Sequence, residues 1–275
     1  MRKALVVGGA NGIGLSIATE LAARQDMEKI YIVDKAIVAD EFMNPKFEGY
    51  QFDLTQEDYS IFDKFQNIDT LMITAGFGRL ALFKDVDEQM IPLSFNVNTI
   101  PVMRIIKRFY GKLEAKEDFY CGVMVSIAGF MSPPFFSIYA ATKAALKVFI
   151  ESVNVELLKG GSTNQILNVS PGSLKGTSFT NGKTDLSVTA PIAQAIICEM
   201  EKKNDLFIPQ YDEVFKNVLE RYHEDFRKEG AHSYEYKLNS NRIMNITITP
   251  PRQLISIQCV KFAVGTLSYR RRIVA

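Results

Sequence analysis

A glycine-rich turn between a short apolar run and an amphipathic segment constrains the fold of this chain more than any other feature. Ala4–Val7 has the composition of a buried strand, and Ile13–Arg24 has the pattern of a helix. The intervening glycines at positions 8, 12 and 14 allow a tight turn and the close approach of a pyrophosphate, whose charge a helix N-terminus favours. The turn therefore predicts a dinucleotide site; an ordinary strand–helix loop is the alternative. The predicted contacts are Gly8, Asn11, Gly12, Ile13 and Gly14.

Short apolar runs alternate with longer amphipathic segments over the first 230 residues. The strand-like runs are Ala4–Val7, Lys29–Val33, Tyr50–Phe52, Thr70–Thr74, Gly122–Ser126, Gln165–Val169 and Leu206–Ile208. The helical segments are Ile13–Arg24, Gln56–Phe65, Asp87–Leu113, Ser137–Leu158, Ala190–Glu201 and Tyr211–Lys228. Runs that lack polar alternation are typical of parallel strands buried on both faces. We therefore predict an α/β fold, a doubly wound and mostly parallel sheet of the Rossmann type, in a single domain over residues 1–238.

The composition excludes several classes of protein. Apolar residues make up 47% of the 275 residues, which argues against a disordered chain, and 32 basic residues nearly balance 31 acidic ones. No global field therefore attracts nucleic acid or a membrane surface. Cys121, Cys198 and Cys259 are far apart and predict reduced thiols in a cytoplasmic protein. Because only His223 and His232 are present, we expect no metal site and no Ser-His-Asp triad.

Two features at the N-terminal end bear on targeting and on the cofactor. The first apolar run is too short for a signal-peptide core, and no apolar run is long enough to span a membrane.

Asp34 ends the second predicted strand, where an acid can accept hydrogen bonds from the adenosine ribose and would repel a 2′-phosphate. This predicts NAD rather than NADP. The neighbouring Lys35 weakens that preference, and a turn role for Asp34 is the alternative.

A Tyr-x3-Lys motif and a serine indicate the chemistry. Tyr139 and Lys143 lie near the start of a predicted helix, where residues four apart share one face. Tyr31 and Lys35 have the same spacing, but on a strand four residues span about 13 Å, so those side chains diverge. Ser126 ends a strand upstream of Tyr139. A hydroxyl, a phenol and an ammonium group in this order along the chain predict proton transfer to or from a substrate oxygen.

Taken together, these motifs resemble the short-chain dehydrogenase/reductase family, in the branch with Gly-x3-Gly-x-Gly and Tyr-x3-Lys motifs. The resemblance covers residues 1 to about 210. It implies catalytic roles for Ser126, Tyr139, Lys143 and Asn98, with Asn96 as the alternative to Asn98. It also implies cofactor contacts at Asp53, Leu54, Ala75, Gly76, Pro171, Gly172 and Thr177, besides Asp34, Tyr139 and Lys143. Family members pair the helices that correspond to about 87–113 and 137–158, which implies a homodimer or homotetramer.

The resemblance implies an oxidoreductase that transfers a hydride between a nicotinamide cofactor and a secondary alcohol or ketone. Tyr139 would exchange the proton with its pKa lowered by Lys143, Ser126 would bind the substrate oxygen, and Asn98 would maintain a helix kink and a water path. One alternative is a catalytically idle dinucleotide-binding module with a regulatory or scaffold role. Another is a sugar-nucleotide epimerase, which differs in its glycine spacing and has a larger C-terminal domain.

Aromatic segments flank the predicted catalytic residues. Phe77–Leu80, Phe130–Phe136 and Phe179 are the candidate walls of a substrate pocket, and they predict a hydrophobic alcohol or ketone as substrate. Simple packing of these loops is the alternative. The polar, turn-rich stretch Ser173–Thr189 is typical of a mobile lid over a substrate.

Residues 239–275 differ in composition from the rest and predict a basic C-terminal extension. Seven basic residues and no acidic residue follow Glu235. Two strand-like runs, Ile243–Thr249 and Leu254–Val264, precede the basic stretch Arg270–Arg272. The extension is interpreted as an arm that pairs with a neighbouring subunit, a weak anchor to anionic lipid, or a dispensable tail. Because all residues assigned to chemistry precede it, we expect a chain ending at Leu238 to retain activity.

Overall fold

Seven parallel strands form one twisted sheet at the centre of the molecule. The computed structural model describes residues 1–177, 179 and 183–239. Within these residues the sheet has the order β3-β2-β1-β4-β5-β6-β7. The strands are β1 (Lys3–Val7), β2 (Lys29–Asp34), β3 (Phe47–Gln51), β4 (Thr70–Ile73), β5 (Tyr120–Met124), β6 (Ile166–Val169) and β7 (Leu206–Phe207). The predicted doubly wound, parallel Rossmann architecture is confirmed.

Helices cover both faces of this sheet, which explains why its strands are apolar on both sides. They are α1 (Gly12–Ala22), α2 (Met90–Asn98), α3 (Ile100–Glu114), α4 (Ser137–Lys159), α5 (Leu186–Glu201), α6 (Lys216–Glu224) and α7 (Phe226–Asn239). Leu5 and Val7 of β1 share a core with α3 and α4, whereas Ala4 and Val6 share a core with α1 and α5. Because side chains alternate along β1, this interior strand contributes to the cores on both faces of the sheet.

Two of the predicted helices differ from the structure. The segment predicted as a helix over Gln56–Phe65 forms a short 3₁₀ helix over Ser60–Phe65, in which Phe62 and Phe65 are buried. Tight aromatic packing with Tyr59 replaces a regular helical turn there. The helix predicted over Asp87–Leu113 is two helices, α2 and α3, which meet at Thr99.

The C-terminal helical segment is also divided. The prediction of one helix over Tyr211–Lys228 was wrong, because a single π-helical turn over Tyr211–Phe215 precedes α6, and α6 ends before Asp225. The carboxylate of Asp225 accepts hydrogen bonds from the backbone amides of Arg227 and Lys228, at 2.9 and 3.2 Å. Asp225 therefore acts as an N-cap that starts the new helix α7.

The sheet order reverses between β1 and β4, and ligands of doubly wound sheets bind in the crevice outside such a switch point. The carboxyl ends of both strands face this crevice.

No helix in the described part of the chain combines the length and apolarity that a membrane span requires. The predicted strand-like runs Ile243–Thr249 and Leu254–Val264 and the basic stretch Arg270–Arg272 lie outside the described residues. The division at residue 238 falls in the last turn of α7 and stays a prediction.

Candidate active site

The glycine-rich turn leaves β1 in a conformation that requires glycine. Gly8 has a φ of +83°, and a Cβ atom there would lie 2.5 Å from the backbone nitrogen of Ala75. A Cβ atom on Gly14 would lie 2.1 Å from the carbonyl oxygen of Gly8. The two glycines thus allow the start of α1 to pack directly against the end of β1. The helix N-terminus consequently faces the crevice, where backbone amides and the helix dipole favour a pyrophosphate.

Asp34 stands at the end of β2 and interacts with the glycine turn. Its carboxylate accepts hydrogen bonds from the amides of Ala10, at 3.0 Å, and Ala36, at 2.9 Å. The neighbouring Lys35 points toward Asp53, with a distance of 2.9 Å from its Nζ atom to the carboxylate. Lys35 therefore contacts an acidic partner next to the proposed ribose site. The second Tyr-x3-Lys pair, Tyr31 and Lys35, does not form a site, because the ring of Tyr31 packs on Phe65 in the core whereas Lys35 contacts Asp53.

Ser126, Tyr139 and Lys143 converge at the carboxyl end of β5. Ser126 caps a 3₁₀ turn, and its Oγ atom accepts a hydrogen bond from the amide of Ala128 at 3.1 Å. Tyr139 and Lys143 lie on the first turns of α4, and the Lys143 Nζ atom lies 5.7 Å from the centroid of the Tyr139 ring. Nζ donates a hydrogen bond to the carbonyl oxygen of Met124 at 2.8 Å. The helix spacing thus places phenol and ammonium on one side of α4, next to the serine.

The pKa of Tyr139 differs from the sequence prediction. We expected Lys143 to lower it, but burial raises the pKa of the phenol to about 12, partly opposed by a hydrogen bond with Ser126. Burial also lowers the pKa of the Lys143 ammonium to about 7, since no acid compensates its desolvation. Near neutral pH Lys143 is therefore present in both its charged and its neutral form. A charge bound nearby would change the pKa values of both Lys143 and Tyr139.

Asn98 is the last residue of α2 and lies behind the predicted catalytic residues. Its side chain is fully buried and forms hydrogen bonds with both backbone groups of Phe77, at 2.9 and 2.8 Å. Its Nδ2 atom also lies 3.2 Å from the Thr142 hydroxyl on α4. Asn96, the alternative, is exposed. The structure therefore brings Asn98 rather than Asn96 next to the site, at the junction where α2 ends and α3 begins.

One cavity of about 1220 Å³ contains these groups. It is larger than the roughly 300–1,000 Å³ of a typical small-molecule site, so a dinucleotide and a substrate can share it. Three of the four predicted catalytic residues and all predicted cofactor contacts line it: Gly8, Asn11, Gly12, Ile13, Gly14, Asp34, Asp53, Leu54, Ala75, Gly76, Ser126, Tyr139, Lys143, Pro171, Gly172 and Thr177. The glycine cradle and the cavity volume thus fit a nicotinamide dinucleotide.

The segment after β6 packs over this cavity. The hydroxyl of Thr184 accepts a hydrogen bond from the Gly12 amide at 2.9 Å, and the ring of Phe179 lies 5.3 Å from that of Tyr139. A Cβ atom on Gly78 would lie 2.9 Å from both of these rings, so glycine permits the close approach. The predicted lid segment therefore contacts both the glycine turn and Tyr139.

The apolar walls were predicted only in part. Phe77, Leu80, Met131, Pro133, Phe136 and Phe179 belong to the predicted segments and line the cavity. Leu93 and Val97 of α2 and Lys237 of α7 also line it, and none of these three residues was predicted. The two α2 residues follow an apolar helical pattern that a search for walls near Tyr139 would not include. Lys237 gives no local signal of a place in the cavity, because its contact with Pro134 joins residues 103 positions apart.

Comparison with protein families and curated relatives gives consistent results. The family model described as short chain dehydrogenase matches residues 2–186. The uncharacterized oxidoreductase TDA5 of Saccharomyces cerevisiae is 25% identical over 224 residues, which cover 75% of this chain and 68% of the relative. Retinol dehydrogenase 8 of Bos taurus is 24% identical and covers 79% of this chain, with 73% of its own length matched.

Solved structures share the fold. A short chain dehydrogenase/reductase from Burkholderia phymatum in complex with NAD superposes with a TM-score of 0.69 at 16% identity, covering 83% of this chain and 95% of that one. The bulky-bulky ketone specific alcohol dehydrogenase from Comamonas testosteroni gives a TM-score of 0.65 at 21% identity, covering 83% and 94%.

Proposed function

The chain belongs to the short-chain dehydrogenase family, and on that premise we propose that it is an NAD-dependent oxidoreductase acting on an apolar secondary alcohol or ketone. The observation that carries the proposal is the convergence of Ser126, Tyr139 and Lys143 on one wall of a cavity that also contains the glycine turn. An idle binding module has no need for this polar group beside the cofactor site.

The chain's own residues provide binding, orientation and proton transfer. The Ser126 hydroxyl binds the substrate oxygen, and the Tyr139 phenol donates a proton to it in reduction and accepts one in oxidation. Lys143 would hold the nicotinamide ribose, and its charged form favours the phenolate. When bound, the nicotinamide would supply the hydride chemistry. Asn98 fixes the Phe77 backbone beneath this arrangement.

Asp34 supports NAD as the cofactor. An acid at the end of β2 disfavours a 2′-phosphate, and Lys35, which could attract one, is paired with Asp53. Structural neighbours of the chain have been solved with NAD, with NADP and with 5-hydroxy-NADP, so the fold alone does not select between them. The cytoplasmic location expected from the cysteines stays a prediction.

The apolar lining supports an apolar substrate. Leu80, Leu93, Val97, Met131 and Phe136 line the cavity that also contains Tyr139. Proteins similar to this chain are named as a retinol dehydrogenase and as an alcohol dehydrogenase specific for bulky-bulky ketones, and both names agree with such a lining.

A second part of the proposal is that two copies of the chain associate through α4. Val148, Val155 and Leu158 form an exposed apolar stripe on this helix, with 59%, 57% and 70% of each residue accessible. Their spacing of seven and three residues places them on one face. An apolar helix face of this kind indicates a protein interface, and the resemblance to the family supports a second copy as its partner.

Turnover of a substrate panel tests the activity. Apolar ketones with NADH, and secondary alcohols with NAD, would be screened by the absorbance of the reduced nicotinamide. We expect turnover that requires Tyr139. If the protein binds NAD but turns over no member of either panel, the idle-module alternative is favoured instead.

A further inference from the structure

The last helix, α7, reaches the cavity from a part of the chain that the family model does not match. That model covers residues 2–186, whereas α7 spans Phe226–Asn239. Lys237 of this helix nevertheless lines the cavity, together with Pro133 and Phe136 of the loop before α4. The lining of the cavity therefore combines residues from the matched region with a helix outside it.

The loop before α4 contains a residue in an unfavourable backbone conformation. Phe135 has a φ of +69°, in the left-handed region that bulky residues rarely adopt. Its side chain is buried, so this conformation belongs to the packed interior rather than to an exposed turn. A strained residue of this kind persists only where the surrounding contacts stabilise it. The contacts of Phe135 therefore determine the path of the loop.

Helix α7 provides such contacts. The ring of Tyr234 stacks on that of Phe135, with centroids 4.7 Å apart and an angle of 27° between the ring planes. One turn further along the helix, the Lys237 Nζ atom donates a hydrogen bond to the carbonyl oxygen of Pro134 at 2.9 Å. Residues three apart lie on the same side of a helix, so both contacts come from one face of α7. This face thus holds two consecutive residues of the loop.

The loop connects α7 to both predicted substrate walls. The Phe135 carbonyl oxygen accepts a hydrogen bond at 2.9 Å from the amide of Ala81, which directly follows the wall segment Phe77–Leu80. Phe136, the residue before α4, has its ring 5.6 Å from that of Tyr139. Displacement of Phe135 would therefore move both the Phe136 side chain and the backbone at Ala81.

We propose that Tyr234 is a positioning residue: it holds Phe135 in the left-handed conformation and so keeps the substrate wall at Phe136 in place. The inference rests on the proposed function for the ligand of that wall, and it adds that α7 determines how tightly the substrate binds. A wall already held in its binding position loses less conformational entropy when the substrate binds. The glycine turn and Asp34 belong to other elements, so cofactor binding should not depend on Tyr234.

Removal of the ring tests the positioning role in the kinetics. Tyr234→Leu keeps an apolar side chain but loses the stacking, whereas Tyr234→Phe keeps the ring. For the ketone of the substrate panel that is turned over fastest, we expect Tyr234→Leu to raise KM by about three- to tenfold, with a smaller effect on kcat. Tyr234→Phe should preserve KM, and neither variant should change the affinity for NADH. An unchanged KM in Tyr234→Leu would overturn the inference.

Phe226→Leu is the matched control, because it removes an aromatic ring from the same helix at a position that is 48% exposed. Its KM should equal that of the unmodified protein. If KM rose as much in Phe226→Leu as in Tyr234→Leu, the effect would belong to α7 in general, and the role given to the stacking on Phe135 would be wrong.

Amide hydrogen exchange tests the inference without turnover. The Ala81 amide, bonded to the Phe135 carbonyl oxygen, reports on the loop, and the Val125 amide, bonded to the Val169 carbonyl oxygen at 2.8 Å, reports on the sheet. We expect Tyr234→Leu to accelerate exchange at Ala81 by about tenfold but not at Val125, and Tyr234→Phe to retain the slow rate. Tyr234→Met, with a longer and more adaptable apolar side chain, replaces Tyr234→Leu if exchange at Val125 also rises.

The two measurements distinguish the inference from the activity on which it rests. Unchanged exchange at Ala81 in the ring-deletion variant would overturn the positioning role of Tyr234. Faster exchange at Ala81, without turnover of any ketone by the unmodified protein, would support that role while contradicting the proposed oxidoreductase activity.

Discussion

The side chain of Asn98 forms hydrogen bonds with both backbone groups of Phe77. Its Oδ1 atom accepts a hydrogen bond from the Phe77 amide, and its Nδ2 atom donates one to the Phe77 carbonyl oxygen, as a neighbouring strand would. This pairing continues the order of β4 into the loop that passes under Tyr139 and Lys143. A Cβ atom on Gly76, next to Phe77, would lie 3.4 Å from the Lys143 Nζ atom. The loop therefore passes close to the Lys143 ammonium group.

Asn98→Ala should destabilise the protein and reduce turnover. The substitution leaves both Phe77 groups without this partner, and each buried unsatisfied group costs about 1–3 kcal/mol. We expect the free energy of unfolding in urea to fall by roughly 2–4 kcal/mol. Asn96→Ala is the control, because Asn96 is exposed on the same helix. Comparable losses in both variants would argue against the role given to Asn98.

Tyr139→Phe should abolish turnover while preserving cofactor binding. The variant keeps the ring and its contacts with Phe136 and Phe179 but has no proton to transfer. Loss of a general acid–base group reduces kcat by about 10²–10⁴-fold. Affinity for NADH, measured by fluorescence titration, should stay within a few-fold. Tyr31→Phe tests the other Tyr-x3-Lys pair and should have normal kcat. Retained turnover in Tyr139→Phe would assign the proton to another group.

Substitutions at Asp34 and Asp53 should change the cofactor preference by different routes. Asp34→Asn removes the charge that repels a 2′-phosphate while keeping an acceptor for the Ala10 amide. Asp53→Asn releases Lys35 from its ion pair, so this lysine can turn toward the phosphate. Both variants should raise the affinity for NADPH relative to NADH in parallel titrations.

Asp40→Asn provides the control for these two variants, because it removes one exposed negative charge that does not line the cavity. Its ratio of NADPH to NADH affinity should match that of the unmodified protein. A protein that already binds NADPH as tightly as NADH would contradict the preference assigned to Asp34.

Lys143→Met should stabilise the fold at acidic and neutral pH although it removes activity. Burial lowers the pKa of Lys143 from 10.5 to about 7. Below pH 7 the buried lysine is therefore charged, and its lost hydration destabilises the native state. Above that value the native lysine is neutral while the unfolded lysine still binds a proton, so the stability of the unmodified protein rises with pH up to about 10.5. The advantage of Lys143→Met should therefore be largest below pH 7 and shrink toward pH 10.

Urea unfolding at several pH values measures this effect. The lost hydrogen bond to Met124 costs about 1 kcal/mol and reduces the gain at every pH. Lys147→Met, at a more exposed position of α4, is the control and should give no comparable dependence on pH. A pH-independent difference for Lys143→Met would show that Lys143 keeps its charge throughout.

Val155→Glu should weaken self-association of the chain. A charge in the middle of the exposed stripe on α4 would have to lose its hydration at the proposed interface, which is unfavourable. Light scattering after size exclusion should show a smaller species than for the unmodified protein. Ile37→Glu places the same charge on an exposed apolar residue elsewhere and should have no effect. A monomeric unmodified protein would contradict the proposed pairing.

Local sequence patterns were sufficient for much of the sheet and for the composition of the cavity. Strands such as β1 and β4 are buried on both faces, so their apolar runs are distinctive, and the glycine spacing depends on contacts within a few residues. The division between α2 and α3 was missed although Pro101 lies in the first turn of α3. Proline at this position is favourable at a helix start, so it was an available signal.

Contacts distant in sequence could not be predicted in the same way. The hydrogen bond from Lys237 to Pro134 joins residues 103 positions apart, and neither residue belongs to a recognisable motif. The pKa values of Tyr139 and Lys143 also depend on burial by the whole fold. Residue types alone suggested a charged lysine that lowers the pKa of the phenol, whereas desolvation dominates for both groups.

The order of the sheet also determines how the chain can assemble. β1 pairs with β2 on one side, but its other edge pairs with β4, where Ala4 lies opposite Thr70. Until β4 joins, β1 is an edge strand in the partly folded chain, and such an exposed edge can pair with other chains. Pairings this distant in sequence form slowly. Refolding should therefore compete with aggregation, and its yield should fall as the protein concentration rises.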